Sequence, residues 1–133
     1  MKFASVRLPA RDVAQLVPFY ESLTGIPAAW ANDQFAEIVL PGATIAISSR
    51  GLTDAFAASS IEPAANRTVM LELLVDDVDA ERDRVAELAG GLVMEPTTLP
   101  WGNRSLLLAD PDGNVVNLFT PVTPEARAKF GAR

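Results

Sequence analysis

The stretch that decides the fold is Leu106-Leu107-Leu108-Ala109-Asp110-Pro111-Asp112-Gly113-Asn114-Val115-Val116-Asn117-Leu118-Phe119, in the last third of the chain. Two apolar runs, 106–109 and 115–119, flank a polar spacer. In that spacer the proline restricts its own φ angle, the Asp and Asn side chains bond neighbouring backbone groups, and the glycine tolerates a positive φ. The pattern predicts a β-hairpin closed by a tight turn.

The whole chain has 133 residues, no Cys, no His and a formal net charge of −6. Its length predicts a single domain over residues 1–133. Without Cys and His there is no disulfide, no zinc–thiolate site and no histidine base, and only carboxylates and amides remain as metal donors. The acidic balance argues against a nucleic-acid partner. Without a signal-peptide pattern or a membrane-spanning apolar run, we expect a cytoplasmic location and no membrane partner.

Upstream of the hairpin, the first part of the chain has the pattern of one β-α-β-β-β unit, module one at residues 1–49. Asp12 is a good helix N-cap, apolar residues recur after it at helical spacing, and Gly25 suits the helix end. Pro18 lies inside this helix and should disturb it locally. Strands are predicted at 3–8, 28–31, 35–40 and 44–48.

A second unit, module two at residues 67–121, repeats this order after a linker at 50–66 and ends with the opening hairpin. Four landmarks align at a constant offset of 65 residues: Asp12 with Asp77, Val13 with Val78, Leu23 with Leu88, and Gly25 with Gly90. The offset favours an internal duplication, although any two units of a strand and a capped helix share part of this pattern. Further strands are predicted at 69–75 and 92–95, a helical turn around 54–58, and a short surface helix in the tail, 122–133.

The Trp101-Gly102-Asn103-Arg104 approach, the Asp110-to-Asn114 turn and the paired modules resemble the vicinal oxygen chelate superfamily. This superfamily includes glyoxalases, extradiol dioxygenases and bleomycin-resistance proteins, and the resemblance covers residues 3–121. It implies an α+β fold in which two β-α-β-β-β modules form a curled mixed sheet, with a ligand cleft on one face and helices on the other.

The same resemblance implies where a metal would bind, with one His or Glu from the first and last strand of each module. The matching positions are Ser5, Ala46, Met70 and Asn117. Divalent cations of this kind need charged oxygen or nitrogen donors. We therefore predict no metal and no cofactor, although Glu72, two residues after Met70 on the same strand face, could still place a lone carboxylate in the cleft.

Strand alternation sorts the side chains that should face the cleft. They mix apolar and aromatic groups with a few polar ones, as in pockets for organic ligands. No residue is predicted to be catalytic, and the predicted ligand-binding residues are Ser5, Arg7, Phe35, Met70, Glu72, Trp101, Asn103, Asn117 and Phe119.

Several of these side chains also have a purely structural interpretation. Arg7 and Glu72 occupy duplicated positions, where they would form either an ion pair that orients a ligand or a pair that closes a residual cavity. Trp101 could stack on a flat ligand or cover the core. Arg104 could bind a carboxylate, or pair with Asp110 or its turn.

Together these features predict a homodimeric, small-molecule-binding protein that sequesters an antibiotic or a metabolite without metal. The alternative is a lyase, isomerase or dioxygenase-type enzyme that uses a cleft carboxylate, Glu72 or Glu37, as its base, or a divalent metal site that the sequence does not reveal. A third interpretation is a dimerisation or regulatory module whose cleft is filled.

Overall fold

The computed structural model describes residues 1–57 and 60–131. The chain divides into two compact units. Unit 1 comprises Met1–Arg67 and Pro111–Gly113, and unit 2 comprises Thr68–Asp110 and Asn114–Arg133. Among the described residues, no helix is both long enough and apolar enough to cross a membrane.

The described part of unit 1 contains four strands and two helices. They are β1 (Ser5–Ala10), α1 (Val13–Thr24), β2 (Ala29–Asn32), β3 (Phe35–Leu40), β4 (Ala43–Ser49) and α2 (Arg50–Ala57). The sheet order is β1-β4-β3-β2, in which β1 and β4 are parallel and the other pairs antiparallel. The α2 helix replaces the single helical turn predicted around 54–58, and Ala58 lies outside the described residues.

Unit 2 repeats this topology. Its elements are β5 (Met70–Leu74), α3 (Val78–Ala86), β6 (Leu92–Thr98), β7 (Asn103–Ala109), β8 (Val115–Pro121) and α4 (Pro124–Phe130). The sheet order is β5-β8-β7-β6, with β5 parallel to β8 and the other pairs antiparallel. The predicted α+β fold with two β-α-β-β-β modules is confirmed, as two separate four-stranded mixed sheets.

Each sheet packs the apolar side of its strands against one helix. In unit 1, buried α1 residues such as Leu16 and Tyr20 face Ile38 and Ile47 of the sheet. In unit 2, Val78 and Val85 of α3 pack on the buried side chains of β7 and β8, which are Leu106, Leu108, Val116 and Leu118. Full burial of one such side chain contributes about 1.5–3 kcal/mol to folding. The opposite face of each sheet is not covered by that helix.

Both predicted helix N-caps are confirmed. Asp12 accepts a hydrogen bond from the Ala14 N–H at 2.9 Å, and Asp77 accepts from Asp79 and Ala80 at 3.0 and 3.2 Å. The helix ends differ, because α1 closes at Gly25 in a left-handed conformation whereas α3 stops at Ala86. Gly90, aligned with Gly25 in the sequence, therefore does not cap a helix.

Pro18 lies inside α1 without ending it. The ring removes the hydrogen bond that an N–H would have made to the Ala14 carbonyl. Pro18 and Ala14 are both exposed, so that carbonyl can bond to water instead. The predicted local disturbance is therefore limited to one hydrogen bond on the outer side of the helix.

The predicted tight turn between β7 and β8 is confirmed. Asp110 donates its backbone N–H to the Asn114 carbonyl, and its carboxylate accepts from the Asn114 backbone N–H and side-chain amide at 2.9 and 2.8 Å. Gly113 takes a φ of 81°. Within unit 1, the Arg11 backbone N–H and Nε both bond to Asp112 at 3.1 Å. The side chains of Asp110, Asp112 and Asn114 thus all hold the turn or its neighbours in place.

Candidate functional site

The face of the unit 2 sheet opposite α3 carries a fixed carboxylate. Glu72 of β5 and Asn117 of β8 are register partners, and Asn117 Nδ2 donates to Glu72 Oε2 at 2.7 Å. Because a carboxylate only accepts hydrogen bonds, this contact determines which amide atom of Asn117 faces Glu72. Asn117 is only 6% exposed. Its Oδ1 is therefore turned away from Glu72 inside a buried environment.

Three buried side-chain oxygen atoms on this face have no hydrogen-bond partner among the described residues. They are Asn103 Oδ1, Ser105 Oγ and Asn117 Oδ1. Residues 103 and 105 of β7 point to this face, because Leu106 and Leu108 of the same strand point to the α3 side. Ser105 pairs with Phe119 of β8, and Asn117, two residues earlier, points to the same face as Phe119. Buried polar atoms in folded proteins almost always have a partner. A cluster of three is therefore a feature that calls for a ligand or ordered water.

A hollow of about 330 Å³ opens on this face, and Asn103 is the one of these three residues that lines it. It is lined by Glu72, Trp101, Asn103, Ala126, Lys129 and Phe130. The volume lies at the lower end of the range for small-molecule pockets, roughly 300–1,000 Å³. Trp101 is 67% exposed, so its ring offers a large free surface at the rim. The hollow combines aromatic walls with a carboxylate and an amide.

Half of this lining comes from α4, which lies against the same sheet face. Phe130 meets Phe119 edge-on, with ring centroids 5.0 Å apart. Thr123 caps the helix through its bond to the Ala126 N–H, and the Val122 N–H donates to the Gly102 carbonyl at 2.9 Å. A Cβ atom at position 102 would overlap Thr123 Oγ1. Gly102 is thus what allows α4 to start beside Trp101.

The corresponding face of unit 1 has different chemistry. Arg7 and Ala46 are register partners there, and the Arg7 guanidinium lies 4.9 Å from the centroid of the Phe35 ring. A hollow of about 410 Å³ is lined by Arg7, Asn32, Phe35 and Leu52. Ser48 Oγ and Thr53 Oγ1, both buried, are bonded to each other at 2.8 Å. In this unit α2 satisfies the buried hydroxyl of the sheet.

The predicted site residues separate into two groups. Glu72, Trp101 and Asn103 line the unit 2 hollow, and Asn117 and Phe119 contact two of its lining residues, Glu72 and Phe130. Arg7 and Phe35 form a contact in unit 1. Ser5 is exposed on β1, and Met70 is 45% exposed on β5, neither of them lining a hollow described above.

Arg7 and Glu72, predicted to form an ion pair, each contact a residue of their own unit, Phe35 and Asn117 respectively. The expected pairing of Arg104 with Asp110 or its turn is wrong. Arg104 instead bonds to Asp79 of α3 at 2.6 and 2.9 Å. Asp110 is engaged with Asn114, so it is not the partner that Arg104 reaches.

The tail residues of the hollow, Ala126, Lys129 and Phe130, were missed by the sequence prediction, as were Asn32 and Leu52. A signal for the tail was present. Thr123-Pro124 is a strong helix start, and Ala126 and Phe130 are spaced four apart, which places them on one helix face. The spacing predicts an apolar face but does not indicate which surface it covers.

The residues at the four positions where the resemblance places metal ligands do not fit a divalent metal. Ala46 has no donor atom, Met70 offers only a thioether, and Asn117 offers one neutral amide oxygen. Within residues 1–57 and 60–131, no group of three or more Asp and Glu side chains is placed to hold a metal ion. Ser5, the fourth position, supplies one neutral hydroxyl, too little to offset the dehydration of such a cation.

The sequence family and the solved structures agree with this fold. A family model described as the Glyoxalase/Bleomycin resistance protein/Dioxygenase superfamily matches residues 2–118, and the chain belongs to that superfamily. No curated protein gives a significant match. The matched residues end at Leu118, so α4 lies beyond them.

Three solved structures illustrate the similarity. A glyoxalase/bleomycin resistance protein/dioxygenase family enzyme from Burkholderia phytofirmans PsJN is 16% identical with a TM-score of 0.83, covering 92% of this chain and 100% of that one. A glyoxalase/bleomycin resistance protein/dioxygenase from Nocardioides is 22% identical with a TM-score of 0.76, covering 93% and 85%. TioX from Micromonospora sp. ML1 is 19% identical with a TM-score of 0.66, covering 92% and 100%. At these identities the structures show a shared fold.

Proposed function

We propose that the protein binds a small organic molecule in the unit 2 hollow and does so without a metal ion. The observation that carries the proposal is a hollow with aromatic walls on the sheet face that also holds three buried oxygen atoms without partners among the described residues. Each unmade hydrogen bond costs roughly 1–3 kcal/mol. A ligand that supplies donors there, directly or through water, recovers part of that cost.

Metal independence is supported by the donors at the four family positions, none of which is a carboxylate or an imidazole. None of the described residues that line the hollow carries a hydroxyl or a thiol, the usual side-chain nucleophiles, which favours binding over covalent chemistry. Sequestration of an antibiotic or a metabolite is therefore the proposed role. A cytoplasmic homodimer with no nucleic-acid or membrane partner belongs to the same proposal.

A second candidate function is a lyase or isomerase reaction in which Glu72 removes a proton. The observation in its favour is that Asn117 holds the Glu72 carboxylate in one orientation. A fixed carboxylate at the edge of a hollow can serve as a general base. Recovery of the bound compound unchanged after prolonged incubation would support binding, and its conversion would support the enzyme.

The binding proposal is tested by titrating a small-molecule library into the protein and following its melting temperature and amide NMR spectrum. A ligand of the native state at 100 times its Kd should add about 2.7 kcal/mol of stability, a shift of several degrees. The largest spectral changes are expected at the Trp101 indole and the Asn103 side chain. Truncating a stacking ring costs about 0.5–1.5 kcal/mol, so Trp101→Ala should weaken binding roughly 2- to 10-fold.

The matched control is Trp30→Ala, which removes the other tryptophan, an exposed ring of unit 1. It should leave the affinity unchanged. Plasma-emission analysis of the purified protein gives an independent check of metal independence. A stoichiometric divalent ion, or a library in which no compound perturbs Trp101 or Asn103, would contradict the proposal.

A further inference from the structure

On the unit 2 face, the buried polar atoms without a partner among the described residues are mainly acceptors. Asn103 Oδ1 and Asn117 Oδ1 can only accept hydrogen bonds, and Ser105 Oγ can accept one while donating another. Glu72 Oε2 receives the Asn117 amide, and Glu72 Oε1 has no hydrogen bond with any described residue. A ligand that matches this set must bring several donors of its own.

The charged and aromatic groups around the hollow also favour a cationic ligand. Within the described part of the chain, Glu72 forms no salt bridge, and its polar partner Asn117 is neutral. The aromatic rings of Trp101 and Phe130 supply electron-rich faces, which attract cations. Lys129 already places its ammonium group 5.3 Å from the centroid of the Phe130 ring. The chain's own cation therefore sits over an aromatic wall of this hollow.

We propose that the hollow binds a flat organic cation with several N–H donors, such as an amidinium or a guanidinium. The cation donates to Glu72 Oε1 and lies against the rings of Trp101 and Phe130. Bridging water carries the contact to the buried oxygen atoms, which are Asn103 Oδ1, Asn117 Oδ1 and Ser105 Oγ. This inference rests on the proposed function and names the ligand class for the same site.

An anionic ligand would meet the opposite conditions. It would face the Glu72 carboxylate and two amide oxygens that repel it, and its only cationic neighbour among the hollow's lining residues would be Lys129. Lys129 is exposed and its charge is screened by solvent. Lys129 therefore offers an anion little attraction. Because its ammonium group lies over the Phe130 ring, it should instead compete with a bound cation.

The test uses three compounds of nearly equal shape, benzamidine, benzamide and benzoate, titrated into the full chain and followed by NMR. Benzamidine, which is cationic and has the most N–H groups, should bind at least about ten times more tightly than benzamide. Benzoate should show no saturable binding in the hollow. Equal affinities, tighter binding of benzoate, or no binding of benzamidine would each overturn the inference.

Two variants with opposite expected signs sharpen the test. Glu72→Gln should weaken benzamidine binding about tenfold or more, because the anionic acceptor is lost. Lys129→Gln should strengthen it about 2- to 5-fold at low salt, because a competing cation is removed. Both side chains are exposed, so both variants should fold. The reverse signs would indicate an anion site and overturn the inference.

Matched controls carry the same charge changes in unit 1. Asp33→Asn removes an exposed carboxylate of unit 1, and Lys2→Gln removes the chain's other lysine. Neither should alter the affinity for benzamidine. If benzamidine fails while a neutral or anionic library compound shifts Trp101 and Asn103, the ligand class is wrong and the binding proposal stands. If no compound shifts them, both proposals fail.

Discussion

The two sheets share one strand order, yet their faces opposite the capped helices differ in how well their polar groups are satisfied. In unit 1, α2 follows the last strand and Thr53 bonds to the buried Ser48 hydroxyl. In unit 2, α4 follows the last strand and meets it through Phe130 on Phe119, leaving Ser105 Oγ without a partner among the described residues. The same topology thus gives one closed polar face and one open one.

The two faces also differ in charge at equivalent positions of their strands. Arg7 stands beside Ala46 in unit 1, and Glu72 stands beside Asn117 in unit 2. Helix caps and strand alternation set the fold in both units, whereas a few side chains on one face set its chemistry. The residues that determine the fold and the residues that give each open face its chemistry are therefore different residues of the same strands.

The largest effect is expected from deleting the buried serine hydroxyl of each face. Ser48→Ala should destabilise the protein by about 1–3 kcal/mol, because it leaves the buried Thr53 hydroxyl without its partner. Ser105→Ala should change the free energy of unfolding by less than about 0.5 kcal/mol, or increase it, because it removes a hydroxyl that has no partner. Urea denaturation of both variants gives the comparison.

The double variant Ser48→Ala/Thr53→Val is the control for the first result. Removing both hydroxyls together should recover most of the loss, since no buried donor or acceptor is then left over. A Ser105→Ala variant that loses as much stability as Ser48→Ala would show that the unit 2 hydroxyl is satisfied in solution. It would remove the difference between the two faces.

A smaller effect is expected at the duplicated N-caps. Asp12→Ala and Asp77→Ala should each cost roughly 0.5–2 kcal/mol, measured by urea denaturation. Asp77 should lie nearer the upper end, because it bonds to two backbone N–H groups where Asp12 bonds to one. The conservative variants Asp12→Asn and Asp77→Asn keep a capping oxygen and should lose much less. Equal, large losses for Asn and Ala would argue against capping.

The smallest effect is a pH dependence confined to unit 2. The hydrogen bond from Arg104 lowers the pKa of the Asp79 carboxyl below its usual value near 3.8, and the Arg104 charge adds to this. A carboxyl with a depressed pKa stabilises the fold above its unfolded pKa, and this stabilisation is lost as the pH falls through the lower, folded value. The stability difference between wild type and Arg104→Gln should therefore shrink below about pH 3.8.

Arg67→Gln is the matched control, since Arg67 is exposed and no salt bridge is described for it. Its stability difference from wild type should show no such change in that range. The pH effect of Arg104→Gln should be modest, because Asp79 and Arg104 are substantially exposed and solvent screens their charges. A difference that stays constant down to pH 2 would refute the role of the pair.

Much of the fold could be predicted from the sequence because local chemistry determines it. The two Asp caps, the Asp110-to-Asn114 turn and the period-two alternation each act within a few residues. Strand ends were less predictable. The first strand starts at Ser5 rather than residue 3, and β6 extends to Thr98 across irregular pairings with β7. The ends of these strands are set by pairing with strands that are distant in sequence, and a local pattern does not indicate where that pairing stops.

The site was only partly predictable for the same reason. Alternation placed Glu72, Asn103, Asn117 and Phe119 on one face of the sheet, and the structure brings them together. The partner of Arg104 lies 25 residues away on α3, at a distance that no local spacing indicates. The contribution of Lys129 and Phe130 depends on how a tail helix docks, and a helical pattern alone leaves its docking surface open.

The position of α4 in the chain has a consequence for how this protein can diversify. It follows the last strand, so its sequence and length can change without disturbing any strand register. It nevertheless supplies half of the residues around the unit 2 hollow. A library randomised at the exposed position 129 would therefore vary the wall of the hollow without touching the strands, whereas Phe130 and the buried Ala126 also pack and should be kept.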